Sequence, residues 1–418
     1  MLKVIAGNFS VRFFSALANL LIAILVSQFL GASGKGEQSI VLATITFILL
    51  ISNLIGGAAI VYLTPRLGLK SVLFTSYSWT ILVSLFCYLF LTFVPGFSMR
   101  YNLSISILSG INSIAAINSA VLIGKEKISK SNLVNFLIPF LSLVVIIKQF
   151  YFGLNPSLSD YFIALYVAYT LAAILSLIFV KGEISKNDVF QFSDVIPTYK
   201  SLFYYGFQNQ LAHIFQLLSF RLSYFLLDAN AGGKSVGVYS NGLSIVESIW
   251  MITSSISLYQ YARISNSNDK AYAMKLTEKL TKLGLSLAFI ALLIAVVIPS
   301  SFFVWMFGNE FQEVNKIIRL MAPGIFIFNY ALILGHYFSG LGKYYVNAVA
   351  SFVGFLITGV LSWIYFKSLD IYLASIIAVC SYCATSCVVI YFYLKEGGRF
   401  VVFPRINEIR LLLNKSKV

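Results

Sequence analysis

The chain alternates between long apolar stretches and short polar ones. A helix that crosses a membrane needs about 20 predominantly apolar residues. Twelve stretches meet that length, at roughly 4–30, 38–63, 71–94, 101–123, 130–152, 158–180, 200–227, 237–261, 279–305, 316–341, 345–366 and 371–394. The longest polar interruptions, 181–200 and 263–282, are short enough to be connecting loops. The expected fold is therefore an all-α polytopic membrane protein, with about twelve transmembrane helices in two six-helix lobes around a central cavity. Almost nothing remains for a large catalytic domain outside the membrane. The first apolar stretch is too long for a signal peptide and lacks an A-x-A-like cleavage site, so it is expected to stay as the first span.

Polar residues inside these spans fall on particular faces. In the first span Asn8, Arg12, Ser15 and Asn19 form a stripe about 60° wide at 100° per residue. Two readings of Arg12 are open: it faces protein or a cavity, or it snorkels to headgroups at a nearby helix end. The stripe favours the first, because a snorkelling arginine does not need polar residues stacked beneath it. The stretch 205–265 reads as a transmembrane hairpin with a Gly-rich turn at 231–237. On its first helix Asn209, Gln210, His213, Gln216 and Arg221 share an arc of about 140°; on its second, Ser240, Ser244, Glu247, Ser248, Ser254 and Ser255 share about 120°. A charge at the bilayer centre costs about 2.5–3.5 kcal/mol even on the gentler insertion scale, which makes Arg221 and Glu247 functional candidates. The hairpin is expected to have one wet side.

Two internal echoes point to a repeat. The turn Gly31 to Gly36 resembles Ala231 to Gly237, and Leu122-Ile123-Gly124-Lys125 resembles Gly340-Leu341-Gly342-Lys343. The expected organisation is an N-terminal six-helix lobe at 1–185, a cytoplasmic linker at 186–199, a C-terminal six-helix lobe at 200–395 and a basic amphipathic tail at 396–418. Six spans is an even number, so both lobes run the same way through the membrane. Pro139, Pro299 and Pro323 are expected to bend their spans.

Composition agrees: 59% of residues are hydrophobic and 11% charged, against about 25% charged in an ordinary soluble domain. With the N-terminus placed in the cytoplasm, Lys and Arg outside the spans favour the cytoplasmic side by about three to one, so both termini are expected there. The net charge of +15 follows mostly from this asymmetry and calls for no nucleic acid. Cys380, Cys383 and Cys387 share a helix face without His or acid nearby, which reads as packing rather than a metal site. No metal and no cofactor is expected. His336 stands alone as a structural histidine, whereas for His213 a structural and a functional role stay equally open. The small polar residues of spans two and four, among them Asn53, Asn112 and Asn118, suit close helix packing or sugar-facing hydrogen bonds. No G-x-S-x-G elbow and no phosphate loop occurs.

Tyr205-Gly206, Phe220-Arg221-Leu222, Phe225-Leu226-Leu227, Val236 to Ser240, Glu247-x-x-Trp250 and Arg263-Ile264-Ser265, with Phe29-Leu30-Gly31 in the first lobe, resemble the Wzx-type flippases. These form the polysaccharide-transporter family of the MOP exporter superfamily, to which the multidrug (MATE) transporters also belong. Members often carry proline where Thr253 and Ala262 stand here. The resemblance implies a flippase that moves undecaprenyl-pyrophosphate-linked oligosaccharide repeat units from the cytoplasmic to the periplasmic leaflet of the bacterial inner membrane, for O-antigen or capsule assembly. It implies membrane lipids, a proton or sodium ion and the glycan polymerase and chain-length machinery as partners. The residues fit that cargo: Arg12 and Arg221 as bidentate donors to pyrophosphate, and Asn8, Asn19, Asn209, Gln210, His213 and Gln216 as partners for phosphate or sugar. Glu247 is expected to pair with an arginine or to bind the coupling cation.

Two rival functions are weaker. A MATE-type drug/cation antiporter would use buried carboxylates, and here a single intramembrane acid faces two arginines. A membrane glycan polymerase or ligase would carry its reactive groups on a long outer loop, and every outer loop here is short.

Overall fold

The computed structural model describes residues 2–93, 101–185, 188–267 and 269–402, with the side chains of 2–10, 12, 208 and 209 excepted. Every regular element among them is a helix. The chain divides into two compact units, Met1–Ile214 and Phe215–Val418, and the division falls inside one long helix.

The first unit begins with α1 (Leu2–Ser52), which is two helices joined at Gly31 (φ 67°, ψ −172°). Essentially only glycine holds that backbone region, so a single residue turns the chain between two spans. Ile22, Leu25 and Val26 before the turn and Val41, Ile45 and Ile48 after it enter one buried cluster. The second span then breaks: α1 stops at Ser52, a short 3-10 turn follows, and α2 (Gly57–Leu63) restarts the helix. The sequence reading took 38–63 as unbroken. The break lets the start of α7 approach closely, because a Cβ on Gly206 would lie 2.1 Å from the Leu54 carbonyl oxygen. The unit continues with α3 (Leu69–Phe93), α4 (Asn102–Gly124), α5 (Ile128–Phe152) and α6 (Leu158–Lys181). Ser157 and Asp160 start α6 with a capping box, the carboxylate accepting from the Ser157 N–H at 2.9 Å.

α7 (Val195–Ser265) passes from the first unit into the second and is again two helices, joined at Gly232 (φ 76°, ψ 167°). The second unit adds α8 (Lys270–Val297), α9 (Ser300–Phe307), α10 (Val314–Gly340), α11 (Tyr344–Ile364) and α12 (Ile371–Lys395). Asp269 and Asp370 cap α8 and α12 by accepting from backbone N–H groups of the first turn. α10 is the centre of this unit, packed by α8, α11 and α12. Counting both halves of α1 and α7 and omitting the short α2 and α9 leaves a helix at each of the twelve expected spans. Of the three prolines expected to bend helices, only Pro299 interrupts one, between α8 and α9; α5 and α10 run continuously through Pro139 and Pro323. The tail beyond residue 402 lies outside the described residues.

The second echo seen in the sequence is structural, but its register differs by two residues. At the end of α4 the Lys127 N–H donates to the Leu122 carbonyl at 2.7 Å, and at the end of α10 the Lys343 N–H donates to the Phe338 carbonyl at 2.8 Å. Each is a Schellman-type ending with a positive-φ residue before the lysine, Glu126 (60°) and Gly342 (75°). Lys127, not Lys125, is therefore the counterpart of Lys343.

Candidate functional site in the C-terminal unit

Arg221 and Glu247 are 26 residues apart on α7, which in a straight helix would separate them by about 39 Å. They meet because the chain reverses at Gly232. Nη1 donates to Oε1 at 2.9 Å and Nη2 to Oε2 at 2.7 Å, a two-pronged ion pair whose side chains keep 25% and 15% of their exposure. Counted along the two helices, the pair lies about 17 and 23 Å from the turn, well inside two helices each long enough to cross a hydrocarbon core about 30 Å thick. A half-buried pair persists there because fork and carboxylate satisfy each other.

Aromatic rings set the pair in place. The Arg221 guanidinium sits over the Tyr224 ring, 5.2 Å from its centroid. On the neighbouring turns Phe220 and Trp250 pack together at 5.2 Å, and both meet Phe328 of α10 and Tyr382 of α12. The Trp250 indole N–H donates to the Ile325 carbonyl at 3.3 Å, tying the second half of α7 to α10. Below this cluster Ser219 shares hydrogen bonds with Ser381 (2.6 Å) and Thr358 (3.4 Å), joining α7, α11 and α12. Phe328 and Tyr382 carried no signal in the sequence beyond being aromatic residues in apolar helices.

The other expected site residues are distributed as follows. The side chains of Asn8, Arg12 and Asn209 lie outside the described residues. Asn19 and His213 are exposed, Gln216 is half-buried and Gln210 is buried at 6% exposure. Gln210 and His213 belong to the first unit, Arg221 and Glu247 to the second. The expected wet side of the second α7 helix is only partly supported. Ser244, Ser248 and Ser255 are exposed while Leu243 and Ile249 are buried. Yet Ser248 and Ser255 donate to carbonyls three and four residues back, so those hydroxyls need no water. One cation escaped the sequence reading. Lys35, taken as a loop residue, lies one turn past Gly31 inside α1 at 5% exposure, and its ammonium donates to Gln38 Oε1 at 2.6 Å. Its position beside a glycine-rich run disguised it as part of a turn.

The helices and their apolar content define a multi-pass membrane protein. No family model matches the chain and no curated protein matches it in sequence. Solved structures match it in fold. A multidrug resistance MATE family transporter of the MOP superfamily, inward-facing, is similar with a TM-score of 0.69 at 14% identity, over 94% of this chain and 98% of its own. The lipid II flippase MurJ, inward closed, gives 0.74 at 13% identity over 93% and 87%. A MOP superfamily transporter from Pyrococcus furiosus gives 0.61 at 13% identity over 94% of each chain. At such identities the likeness is one of fold: the chain has the fold of the MOP superfamily transporters.

Proposed function

We propose that the protein is a flippase that moves undecaprenyl-pyrophosphate-linked oligosaccharide repeat units from the cytoplasmic to the periplasmic leaflet, for O-antigen or capsule assembly. The observation that carries this reading is the Arg221–Glu247 pair. A guanidinium held far from the helix turn with its two-pronged face already on a carboxylate is set to exchange that carboxylate for a phosphate oxygen pair. Glu247 neutralises the arginine when no cargo is present. Its carboxylate is engaged by Arg221, which argues against a free cation-binding acid of the kind a drug/cation antiporter needs. Arg12, Asn8, Asn19, Asn209, Gln210, His213 and Gln216 complete the phosphate- and sugar-facing set in this reading. The lobes 1–185 and 200–395 rock about a central cavity while the lipid tail stays in the bilayer. Both termini lie in the cytoplasm, as the charge asymmetry favours.

The test is deletion of the gene in its own host, with surface glycan and the leaflet position of the lipid-linked repeat unit read together. Loss of surface glycan with complete units held on the cytoplasmic leaflet supports the flippase. Single units reaching the surface unpolymerised would assign a polymerase step instead, and unchanged glycan would remove the glycan role.

A further inference from the structure

The segment between α6 and α7, read in the sequence as a cytoplasmic linker at 186–199, lies along α3, a helix long and apolar enough to cross a membrane. Asp188 accepts from the Lys70 N–H at the start of α3 at 2.9 Å. One turn further on, the Phe190 ring sits 5.1 Å from Phe74, and one turn beyond that the Tyr199 and Ser78 hydroxyls share a hydrogen bond at 2.7 Å. Lys70 and Ser78 are about 12 Å apart along the helix. The linker and the first turns of α7 therefore follow α3 inward from its end.

Buried and exposed positions on this stretch fall on different faces. Val195, Thr198, Leu202 and Gly206 are buried at the spacing of one helix face, and Leu202 enters a cluster with Ile60 and Leu63 of α2 and Val72 and Leu73 of α3. Ile196, Phe203 and Phe207 are exposed and share an arc of about 40° on another face. Val189 and Phe192 extend that apolar row before α7 begins. Val189, Phe192 and Ile196 keep 69%, 76% and 66% of their exposure. Burying a large apolar side chain away from water is worth about 1.5–3 kcal/mol, so a row of them left in water would be costly.

We infer that residues 188–207 form an in-plane anchor whose apolar row is seated in bilayer lipid. Continuity identifies the occupant. Phe190 rests on Phe74, and Phe74 heads an exposed apolar face of α3 that continues through Ile81 and Leu85 within an arc of about 40°. On a spanning helix such a face meets acyl chains, so the row on the linker adjoins lipid. Lys181 and Lys200, both exposed, bracket the row with cations for phosphate headgroups, and the stem of Lys200, one turn after Ile196, can lie on lipid while its ammonium reaches them. Gln191, Ser193 and Asp194 are exposed between the apolar positions and give the segment the polar side that an interfacial element needs. From this anchor α7 continues past Ile214 into the second unit, so lipid holds the start of the helix by which the chain passes between units. The inference rests on the membrane fold and not on the cargo.

The test is spin labelling of the full chain in vesicles of phosphatidylethanolamine and phosphatidylglycerol, with Cys87, Cys380, Cys383 and Cys387 replaced by serine and one label introduced in turn by Phe192→Cys, Ile196→Cys, Ile81→Cys or Glu126→Cys. Collision with oxygen, which partitions into lipid, is compared with collision with a water-soluble nickel chelate. Labels at 192 and 196 are expected to favour oxygen, as at 81 on the exposed face of α3, whereas the label at 126, in the exposed turn after α4, favours nickel. A nickel preference at 192 and 196 would return the linker to water and overturn the anchor. Protection from both reagents, or dipolar broadening between two copies, would give the row to a protein partner and equally overturn it. If the serine background does not fold, Phe192→Trp in the native chain reads the same position. Brominated lipid should quench the added fluorescence more than aqueous acrylamide does, and the reverse order would overturn the anchor. Both measurements report position whether or not glycan is transported, so failure of the flippase reading leaves them standing.

Discussion

Glu126 and Gly342 occupy the same position of the same helix ending, one in each unit: both have positive φ, and each precedes a lysine whose N–H closes the motif. Glycine takes that conformation freely, whereas a side chain carries a cost there. Glu126 is exposed and lies in no ion pair among the described residues.

Glu126→Gly is therefore expected to stabilise the protein by roughly 1 kcal/mol. A rise in Tm of the detergent-solubilised protein checks this. A fall would mean that the Glu126 side chain makes a contact outweighing its backbone strain.

Gly232 offers the converse. Its φ and ψ fall in the region that is essentially restricted to glycine, and no atom lies within 4 Å of where a Cβ would be. Gly232→Ala thus isolates backbone strain from crowding and is expected to cost about 1–3 kcal/mol. Thermal unfolding reads it directly.

The Arg221–Glu247 pair separates stability from function. Removing either partner leaves a charge stranded, at a cost of about 3–5 kcal/mol, whereas replacing both with apolar residues of similar size is often neutral. Arg221→Met and Glu247→Leu are each expected to lower Tm sharply, and the double variant to recover it. Surface glycan should stay absent in the double variant, because the cation is gone. Recovery of glycan with Tm would reduce the pair to a structural clasp.

Glu396 sets an acid limit on the C-terminal unit. Burial pushes its carboxyl up, but the hydrogen bond and charge of Lys343, with Lys270 at 3.3 Å, outweigh burial and hold it below its ordinary value. A folded value below the unfolded one, about 4.3, means that the stabilisation is complete above that pH and fades as pH falls through the folded value. Unfolding measured from pH 7 down to pH 3 should show a loss on the acid side that Glu396→Gln reduces. Equal acid loss in both proteins would place the responsible group elsewhere.

The twelve spans were legible in the chain because membrane insertion depends on the local run of apolar residues, and that run is a property of sequence. Arg221 and Glu247 stood out for the same reason: a charge in such a run is expensive wherever its partner is. The turns at Gly31 and Gly232 were visible in the sequence, although a seven-residue turn was expected at 231–237 and Gly232 alone makes it, whereas Gly57, also at positive φ, was read as part of an unbroken span. What required the tertiary structure was every relation between distant helices. The pairing of Arg221 with Glu247, the aromatic setting from Phe328 and Tyr382, the burial of Lys35 and the hydrogen bond from Tyr330 to the Val401 carbonyl depend on which faces meet after the helices form. An apolar helix in lipid has little periodic contrast to announce its packed face, since lipid tails and neighbouring side chains are equally apolar. Spans could be read from composition along the chain; contacts between them were decided by shape.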